Sequence, residues 1–351
     1  MSCHAEPLLS YGHSWHYSRH GHAHAMPSLK TLTTYNNANT KTNMKKVSTL
    51  LFAIVSFALL SCNSNDDTAE DNGLEGSGIT ITDDVDCCSA EEALQVYKFL
   101  QTVKIIPEMS VVVDGKYNVF AYSKTGKFQV GYNDIYFVAT KRSSGNYVKN
   151  FSATGILPLM NMAAMNKQHS TPVGATVESF DNRYLAVKRG WISFLMPTGD
   201  SNTWSVSYDV QVLGTKSRVE GAEAEVSSLA DGQEWVTSFK VGDDTYFISL
   251  VNPLDWKVGS NTITAYVSKK SADITKAYAQ SDETFTIDFT PTMPDMGDHT
   301  SPGNVGLTKR ADGSYQGVVN LTMTGLWKLH LTVKDKDGNT VATDISLSVT
   351  I

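Results

Sequence analysis

The sequence is poor in cysteine, with four residues in a chain of 351. Cys3 and Cys62 stand alone, and Cys87 is adjacent to Cys88. A fold held by disulfides needs several cysteines at spaced positions, so that class of protein is excluded. The adjacent pair fits a strained vicinal disulfide, a small apolar pair or a pair of thiolate metal ligands, and the sequence leaves these alternatives open.

Long hydrophobic runs and an excess of positive charge are also absent. The apolar run Leu50–Leu60 is much shorter than the ~20 residues that a transmembrane helix needs. The formal net charge is −7, so electrostatics give no support to nucleic-acid binding. We therefore expect no nucleic-acid partner.

Catalytic motifs are missing too. The chain has no glycine-rich phosphate loop, no nucleophile elbow and no HExxH sequence. Its isolated Ser, His and Asp residues form no recognisable catalytic pattern. We therefore expect no enzymatic activity.

Residues 44–61 have the pattern of a secretory signal: two lysines precede the apolar run, which ends in Leu-Leu-Ser before Cys62. This ending resembles a bacterial lipobox, and the resemblance implies cleavage before Cys62 and lipidation of its sulfur. The alternative is an ordinary secretory signal with a coincidental cysteine. Because a signal belongs at the N-terminus, we interpret Met44 as the initiator and residues 1–43 as an over-extended, disordered segment. Six of the nine histidines lie in that segment and receive no functional weight.

Residues 62–88 follow as a polar, acidic stretch that cannot bury enough apolar surface to offset chain entropy, which predicts a flexible tether. Asp66 and Asp67 resemble the acidic export signals of surface lipoproteins in Bacteroidetes. We expect an outer-membrane lipoprotein that is held to the membrane by its N-terminal lipid. The sequence leaves open whether it faces the periplasm or the cell surface.

The globular part begins with a helix pattern over residues 89–104, where Ser89 and Glu92 form a capping box. Beyond it, β-branched and aromatic residues alternate with polar ones between Gly, Asn and Asp, which predicts strands. The dipeptide Asp337-Gly338 predicts a hairpin turn. The expected fold class is all-β.

An internal repeat organises these strands. The segment Phe128–Lys141 aligns with Trp256–Lys270, so that Asn133 meets Asn261 and the preceding glycines also match. The shared period indicates a duplicated module of about 130 residues. We expect two tandem immunoglobulin-like β-sandwich modules, at residues 105–220 and 221–351, preceded by the short helix.

Each module contains a methionine pair followed by a histidine: Met293, Met296 and His299 in the second, and Met162, Met165 and His169 in the first. Neutral thioethers favour Cu(I), and imidazole accepts copper or zinc. Acidic and polar neighbours predict that the second cluster projects from an exposed loop. Candidate additional ligands are Met323 in the second module and Met160 and Met196 in the first. The alternative is that these methionines fill gaps in the core.

The second cluster also carries a family resemblance. Met293, Pro294 and Met296 precede a strand with Tyr315 and Gly317, and Met323, Gly325 and Trp327 follow. This pattern resembles the YtkA-like domain, which is related to FixH-type proteins. The resemblance implies a small immunoglobulin-like sandwich in the bacterial envelope that is associated with copper handling, and the first module departs from the pattern.

These observations favour an envelope lipoprotein that binds copper, as Cu(I), for buffering or delivery. The expected partners are the membrane, through the lipid, and an envelope protein that receives or supplies copper. The alternative is a structural or adhesive surface module without metal, because fold alone does not fix function.

Overall fold

The computed structural model of the chain describes residues 90–175, 177–181, 183, 185–251 and 256–351. The predicted N-terminal extension, the signal at 44–61, lipidation of Cys62, the tether at 62–88 and the cysteine pair lie outside the described residues.

The described part starts with one α-helix and continues almost entirely as β-structure, which confirms the predicted fold class. No helix in it has the length and apolarity to span a membrane. The elements are α1 (Ala90–Leu100), β1 (Lys104–Val113), β2 (Tyr117–Ser123), β3 (Phe128–Gln129), β4 (Gly131–Lys141), β5 (Tyr147–Val148), β6 (Phe151–Met162), β7 (Lys167–His169), β8 (Glu178–Ser179), β9 (Val187–Phe194), β10 (Asn202–Val212), β11 (Thr215–Ala224), β12 (Val226–Ser227), β13 (Val236–Val241), β14 (Asp244–Leu250), β15 (Gly259–Lys269), β16 (Thr286–Met293), β17 (His299–Thr300), β18 (Val305–Lys309), β19 (Tyr315–Leu321), β20 (Leu326–Lys334) and β21 (Thr340–Thr350).

The helix α1 ends earlier than the predicted residue 104. The hydroxyl of Thr102 donates a hydrogen bond to the carbonyl of Phe99 at 2.7 Å, in a turn that follows the last helical residue. Strand β1 then begins at Lys104, where β-branched residues favour extended backbone. The inner face of the helix buries Ala93 and Val96 in a small cluster against the first module.

The first module is a sandwich of two sheets. One sheet has the order β1-β2-β4-β9-β8, with β5 beside β4, and the other has the order β11-β10-β6-β7. Strand β11 runs to Ala224, and β12 pairs in parallel with β3. The first module therefore extends to Ser227, beyond the predicted boundary at 220, because this edge pairing holds the connecting segment to it.

The second module folds one continuous sheet onto itself in the order β13-β14-β15-β19-β18-β16-β20-β21, with β17 beside β16. Strand β18 joins the two layers, since it pairs with both β16 and β19. The two end strands of this sheet also meet, because Glu234, just before β13, and Ser348 on β21 exchange two backbone hydrogen bonds of 3.0 and 2.8 Å. A single apolar core fills the space between the layers.

Strands β4 and β15 show the internal repeat in atomic detail. The side-chain amide of Asn133 donates to the carbonyls of Gln129 and Gly131 at 2.7 and 2.8 Å, and its oxygen accepts from the Gln129 N–H at 3.0 Å. Asn261 makes the same three bonds, at 2.7, 2.9 and 2.9 Å, to residues two and four positions before it. Both strands begin with a positive-φ glycine, so the two asparagines hold equivalent turns.

The predicted hairpin turn lies between β20 and β21. Gly338 has a φ of 83° and donates its N–H to the carbonyl of Asp335 at 3.1 Å. This backbone conformation is the one for which glycine is favoured in hairpin turns.

Candidate functional site

The methionine–histidine segment of the second module forms a tight hairpin at one end of the sandwich. Strand β16 ends at Met293, and Pro294–Met296 form a single 3₁₀ turn. Pro294 suits the first position of that turn, where no backbone donor is needed. Gly297 and Asp298 then take positive φ values of 65° and 57°, which reverse the chain into β17.

The two methionines of this hairpin have different environments. Met293 is 4% exposed and belongs to the core of the second module, whereas Met296 is 58% exposed. A β-carbon at Gly325 would lie 2.8 Å from the terminal methyl of Met293, so that methyl packs where a side chain is absent. The expectation that Met293 projects outward is therefore wrong, because β16 continues to this residue and turns it inward.

His299 lies beside Met293 at the exposed edge of this core. The two residues are direct partners on β17 and β16, so their side chains share one face of the sheet. The imidazole is exposed, and its centroid lies 6.3 Å from that of Trp327. Its Nε2 is 3.3 Å from the hydroxyl oxygen of Thr322. The hairpin thus places an imidazole next to a buried thioether.

Trp327 is the centre of this end of the module. Its side chain is completely buried, and its indole N–H donates to the carbonyl of Met323 at 2.9 Å. Met323 is half-buried and packs against the same core. Trp327 therefore has the His299 ring beside it and the Met323 carbonyl on its indole N–H, in the core that also contains Met293, while Met296 stays at the surface.

The first module builds the same group from different surrounding sequence. Buried Met160 on β6 is the direct partner of Trp204 on β10 and of His169 on β7. The His169 ring meets Trp204 edge to face at 5.4 Å. The Trp204 indole N–H donates to the carbonyl of Met196 at 2.9 Å. We refer to the two groups, His169/Met160/Trp204/Met196 and His299/Met293/Trp327/Met323, as the Met–His–Trp ends.

The sequence pattern placed Met162 as the counterpart of Met293. In the structure, the counterpart of Met293 is Met160. Met162 is half-buried at the end of β6, and Met165 is 57% exposed in the 3₁₀ turn that follows. The equal spacing of the methionines suggested the wrong counterpart. In the first module, the pairing of β6 with β7 continues for two residues beyond Met160, to Met162.

Reasoning from the sequence missed the place of Trp204 and Trp327 in the candidate site. Trp204 and Trp327 each follow a methionine whose carbonyl accepts the indole N–H. Retention of this Met–Trp pair in both modules was the signal that could have identified them as part of the site.

The available donor atoms determine which metal ions these ends fit. Among the described residues, no group of three or more His, Cys, Asp or Glu side chains is placed to hold a metal ion. A site at either end would combine neutral thioether sulfur with imidazole nitrogen, a donor set that suits Cu(I). In the first module, His169 Nδ1 lies 2.7 Å from the carbonyl oxygen of Ser170 and donates to it, which leaves Nε2 as the lone-pair nitrogen of the neutral ring.

Comparison with known proteins now bears on the second module. Residues 240–332 match the model of the YtkA-like family. This confirms the resemblance inferred from the Met-Pro-x-Met segment and the Met-x-Gly-x-Trp strand, and we refer to the second module as the YtkA-like module. The match includes His299, Met293, Met323 and Trp327, and it excludes the first module.

The chain is similar to the fibronectin(III)-like modules of CbhA from Clostridium thermocellum, at 13% sequence identity over 64% of this chain and 88% of that one, with a TM-score of 0.17. A likeness at that score supports no conclusion about fold or function. No curated protein matches the chain.

Proposed function

We propose that the protein is a non-enzymatic envelope lipoprotein that binds Cu(I) at its two Met–His–Trp ends and buffers the ion or passes it to a partner. In this proposal, lipid on Cys62 anchors it to the outer membrane. The observation that carries the copper proposal is the duplicated geometry. Both modules place a histidine beside a buried methionine and a buried tryptophan, although the hairpins differ in length and sequence.

The proposed ligands differ in their roles. In the YtkA-like module, His299 and Met293 supply the first donor pair, and Met323 and exposed Met296 are the further thioethers. In the first module the donor pair is His169 and Met160. There the additional thioethers are Met162, Met165 and Met196.

The surroundings suit a soft monovalent cation. Thioether sulfur is neutral and needs no deprotonation before it binds a metal ion. The tryptophan next to each histidine offers an aromatic ring to a cation, and such contacts gain strength where water is excluded. Because Met160 and Met293 are buried, a bound ion would be partly shielded from solvent, which slows its loss and its oxidation.

A metal-free structural module is the second candidate, and the same burial favours it. Met160 and Met293 are integral parts of two hydrophobic cores, as expected of methionines used for packing. In addition, the two modules are joined by backbone hydrogen bonds between Val173 and Tyr278 and between Tyr278 and Thr171. A tandem unit joined in this way fits a spacer or docking element on a tether.

Cu(I) titration separates the two candidates. We expect the protein to withdraw two equivalents of Cu(I) from a chromophoric chelator under anaerobic, reducing conditions, and His299→Ala to withdraw one. The loss is expected because imidazole is the only nitrogen donor among the proposed ligands of the YtkA-like module.

His330→Ala is the matched control for this titration. His330 is an exposed histidine on β20 of the same module, and its Nε2 lies 3.0 Å from the hydroxyl of Thr292. This variant should bind as much Cu(I) as the unmodified protein. Failure of the unmodified protein to compete for Cu(I) would leave the metal-free module as the function. Full binding by His299→Ala would show that His299 is not a ligand and would contradict the proposed site of the YtkA-like module.

A further inference from the structure

Methionine supplies all the sulfur in the part of the chain that the structure describes, because all the cysteines precede residue 90. The methionines of this part differ widely in exposure. Those that are buried are Met109, Met160 and Met293, and those that are half-buried are Met162, Met196 and Met323. Of the methionines in this part, only Met165 and Met296 are exposed, at 57% and 58%. Exposure therefore distinguishes one methionine in each module.

These two methionines occupy the same position in two similar hairpins. Each is the last residue of a single 3₁₀ turn, Ala163–Met165 in the first module and Pro294–Met296 in the second. A residue with positive φ follows each turn, Asn166 at 47° and Gly297 at 65°. The residues around the two methionines differ. Both copies of the module therefore place a methionine at the tip of this hairpin.

Packing does not account for a methionine at this position. Neither Met165 nor Met296 belongs to a hydrophobic core, whereas Met160 and Met293 do. A side chain that stays in water gains little from its apolar surface. The property that remains is the chemistry of an accessible thioether, which can bind a soft metal ion or be oxidised.

We propose that Met165 and Met296 are reversible oxidation sites for two-electron oxidants of the peroxide class. The O–O bond of hydrogen peroxide breaks, and one of its oxygens forms an S–O bond with the thioether sulfur. The sulfur loses two electrons, and the peroxide gains them and leaves as water. A methionine sulfoxide reductase restores the thioether: the sulfoxide oxygen leaves as water, and two thiols are joined as a disulfide.

The fold makes this oxidation selective. An oxidant in solution reaches the exposed side chains of Met165 and Met296 directly, whereas it reaches Met160 and Met293 only when a core opens locally. A sulfoxide is polar, so it costs little at an exposed hairpin tip and would disrupt a core. The protein can therefore be oxidised and reduced at both tips while it stays folded.

The consequence for copper rests on the proposed function, in which Met165 and Met296 are thioether ligands. A sulfoxide offers chiefly its oxygen, a harder donor that suits Cu(I) poorly. Oxidation of the two tips should therefore weaken the retention of Cu(I) at both ends of the protein, and reduction should restore it.

Timed oxidation with hydrogen peroxide, followed by peptide mapping in a mass spectrometer, tests the two sites without copper. We expect Met165 and Met296 to oxidise at least about tenfold faster than Met160 and Met293, because exposure controls the reaction. Met109, which is also completely buried, is the internal control and should react slowly. Treatment in concentrated urea should make all these rates equal. Equal rates in the folded protein, or tips that do not oxidise, overturn the proposal.

The oxidised protein provides two further readouts. Its unfolding midpoint in urea should equal that of the untreated protein, and a lower midpoint would contradict oxidation confined to exposed tips. Reductases for both sulfoxide epimers, supplied with a thiol, should return both tips to thioethers. Tips that stay oxidised would show that the modification is not reversible.

Competition with a chromophoric Cu(I) chelator, after the peroxide is removed, tests the consequence for copper. The oxidised protein should retain Cu(I) at least about threefold more weakly than the untreated protein. The control is Met165→Leu/Met296→Leu, which keeps volume and apolarity without an oxidisable sulfur. The same peroxide treatment should leave the Cu(I) affinity of this variant unchanged.

The outcomes of this competition separate the inference from the proposed function. If the untreated protein binds Cu(I) and the oxidised protein retains it as tightly, the effect of oxidation on copper is wrong and the proposed function stands. If the untreated protein does not bind Cu(I), the proposed function fails, and peptide mapping alone decides whether Met165 and Met296 are oxidation sites.

Discussion

Trp327→Ala is expected to lower the free energy of unfolding by about 3–5 kcal/mol, as for other large-to-small changes in a packed core. Trp327 is completely buried in the core of the YtkA-like module. Its removal leaves a cavity the size of an indole and deprives the Met323 carbonyl of its donor at 2.9 Å. Both losses act at the same end of the module, so the change is among the most destabilising single substitutions available.

Urea denaturation followed by circular dichroism measures this loss. Trp327→Phe keeps most of the buried ring and should cost only about 1–2 kcal/mol, for the hydrogen bond and the difference in shape. Trp256→Ala, at a half-buried tryptophan of the same module, is the control for loss of an indole as such. If Trp327→Ala lowers the free energy of unfolding by less than about 1 kcal/mol, this tryptophan is not tightly packed in the core.

Cu(I) itself should stabilise the YtkA-like module against unfolding. A ligand that binds only the folded state adds about 4 kcal/mol when its free concentration is a thousandfold above the dissociation constant. His299 and Met293 come together only through pairing of β17 with β16, so the unfolded chain lacks this site. The increase should appear as a rise in the thermal unfolding midpoint with Cu(I) concentration.

The double variant His299→Ala/Met293→Leu is designed to remove this effect while the core stays packed. Leucine conserves the volume and apolarity of Met293, and His299 is exposed, so the metal-free variant should remain folded. Its YtkA-like module should gain no stability from Cu(I). Equal stabilisation of the variant and the unmodified protein would show that Cu(I) binds elsewhere on the chain.

The sequence was sufficient to predict the strands, the hairpin at Asp337-Gly338 and the duplication. These features depend on local alternation, on turn residues and on aligned pairs such as Asn133 and Asn261, all of which are visible without coordinates. In the structure, the two asparagines make the same hydrogen bonds in equivalent turns.

The orientation of the methionines could not be predicted in the same way. Acidic neighbours around Met293 indicated an exposed loop, but its burial depends on how far β16 stays paired with β20. The role of Met160 was missed for the same reason, because the spacing of the methionines does not show that the hairpin of the first module is two residues longer.

X-ray absorption at the copper edge tests the proposed Met–His–Trp sites most directly. For the protein loaded with Cu(I), we predict a first coordination shell that contains both sulfur and imidazole nitrogen. In His299→Ala, the nitrogen from the YtkA-like module should be missing from this shell. A shell made only of oxygen and nitrogen would contradict thioether ligation at both ends, as would a failure of the protein to retain Cu(I).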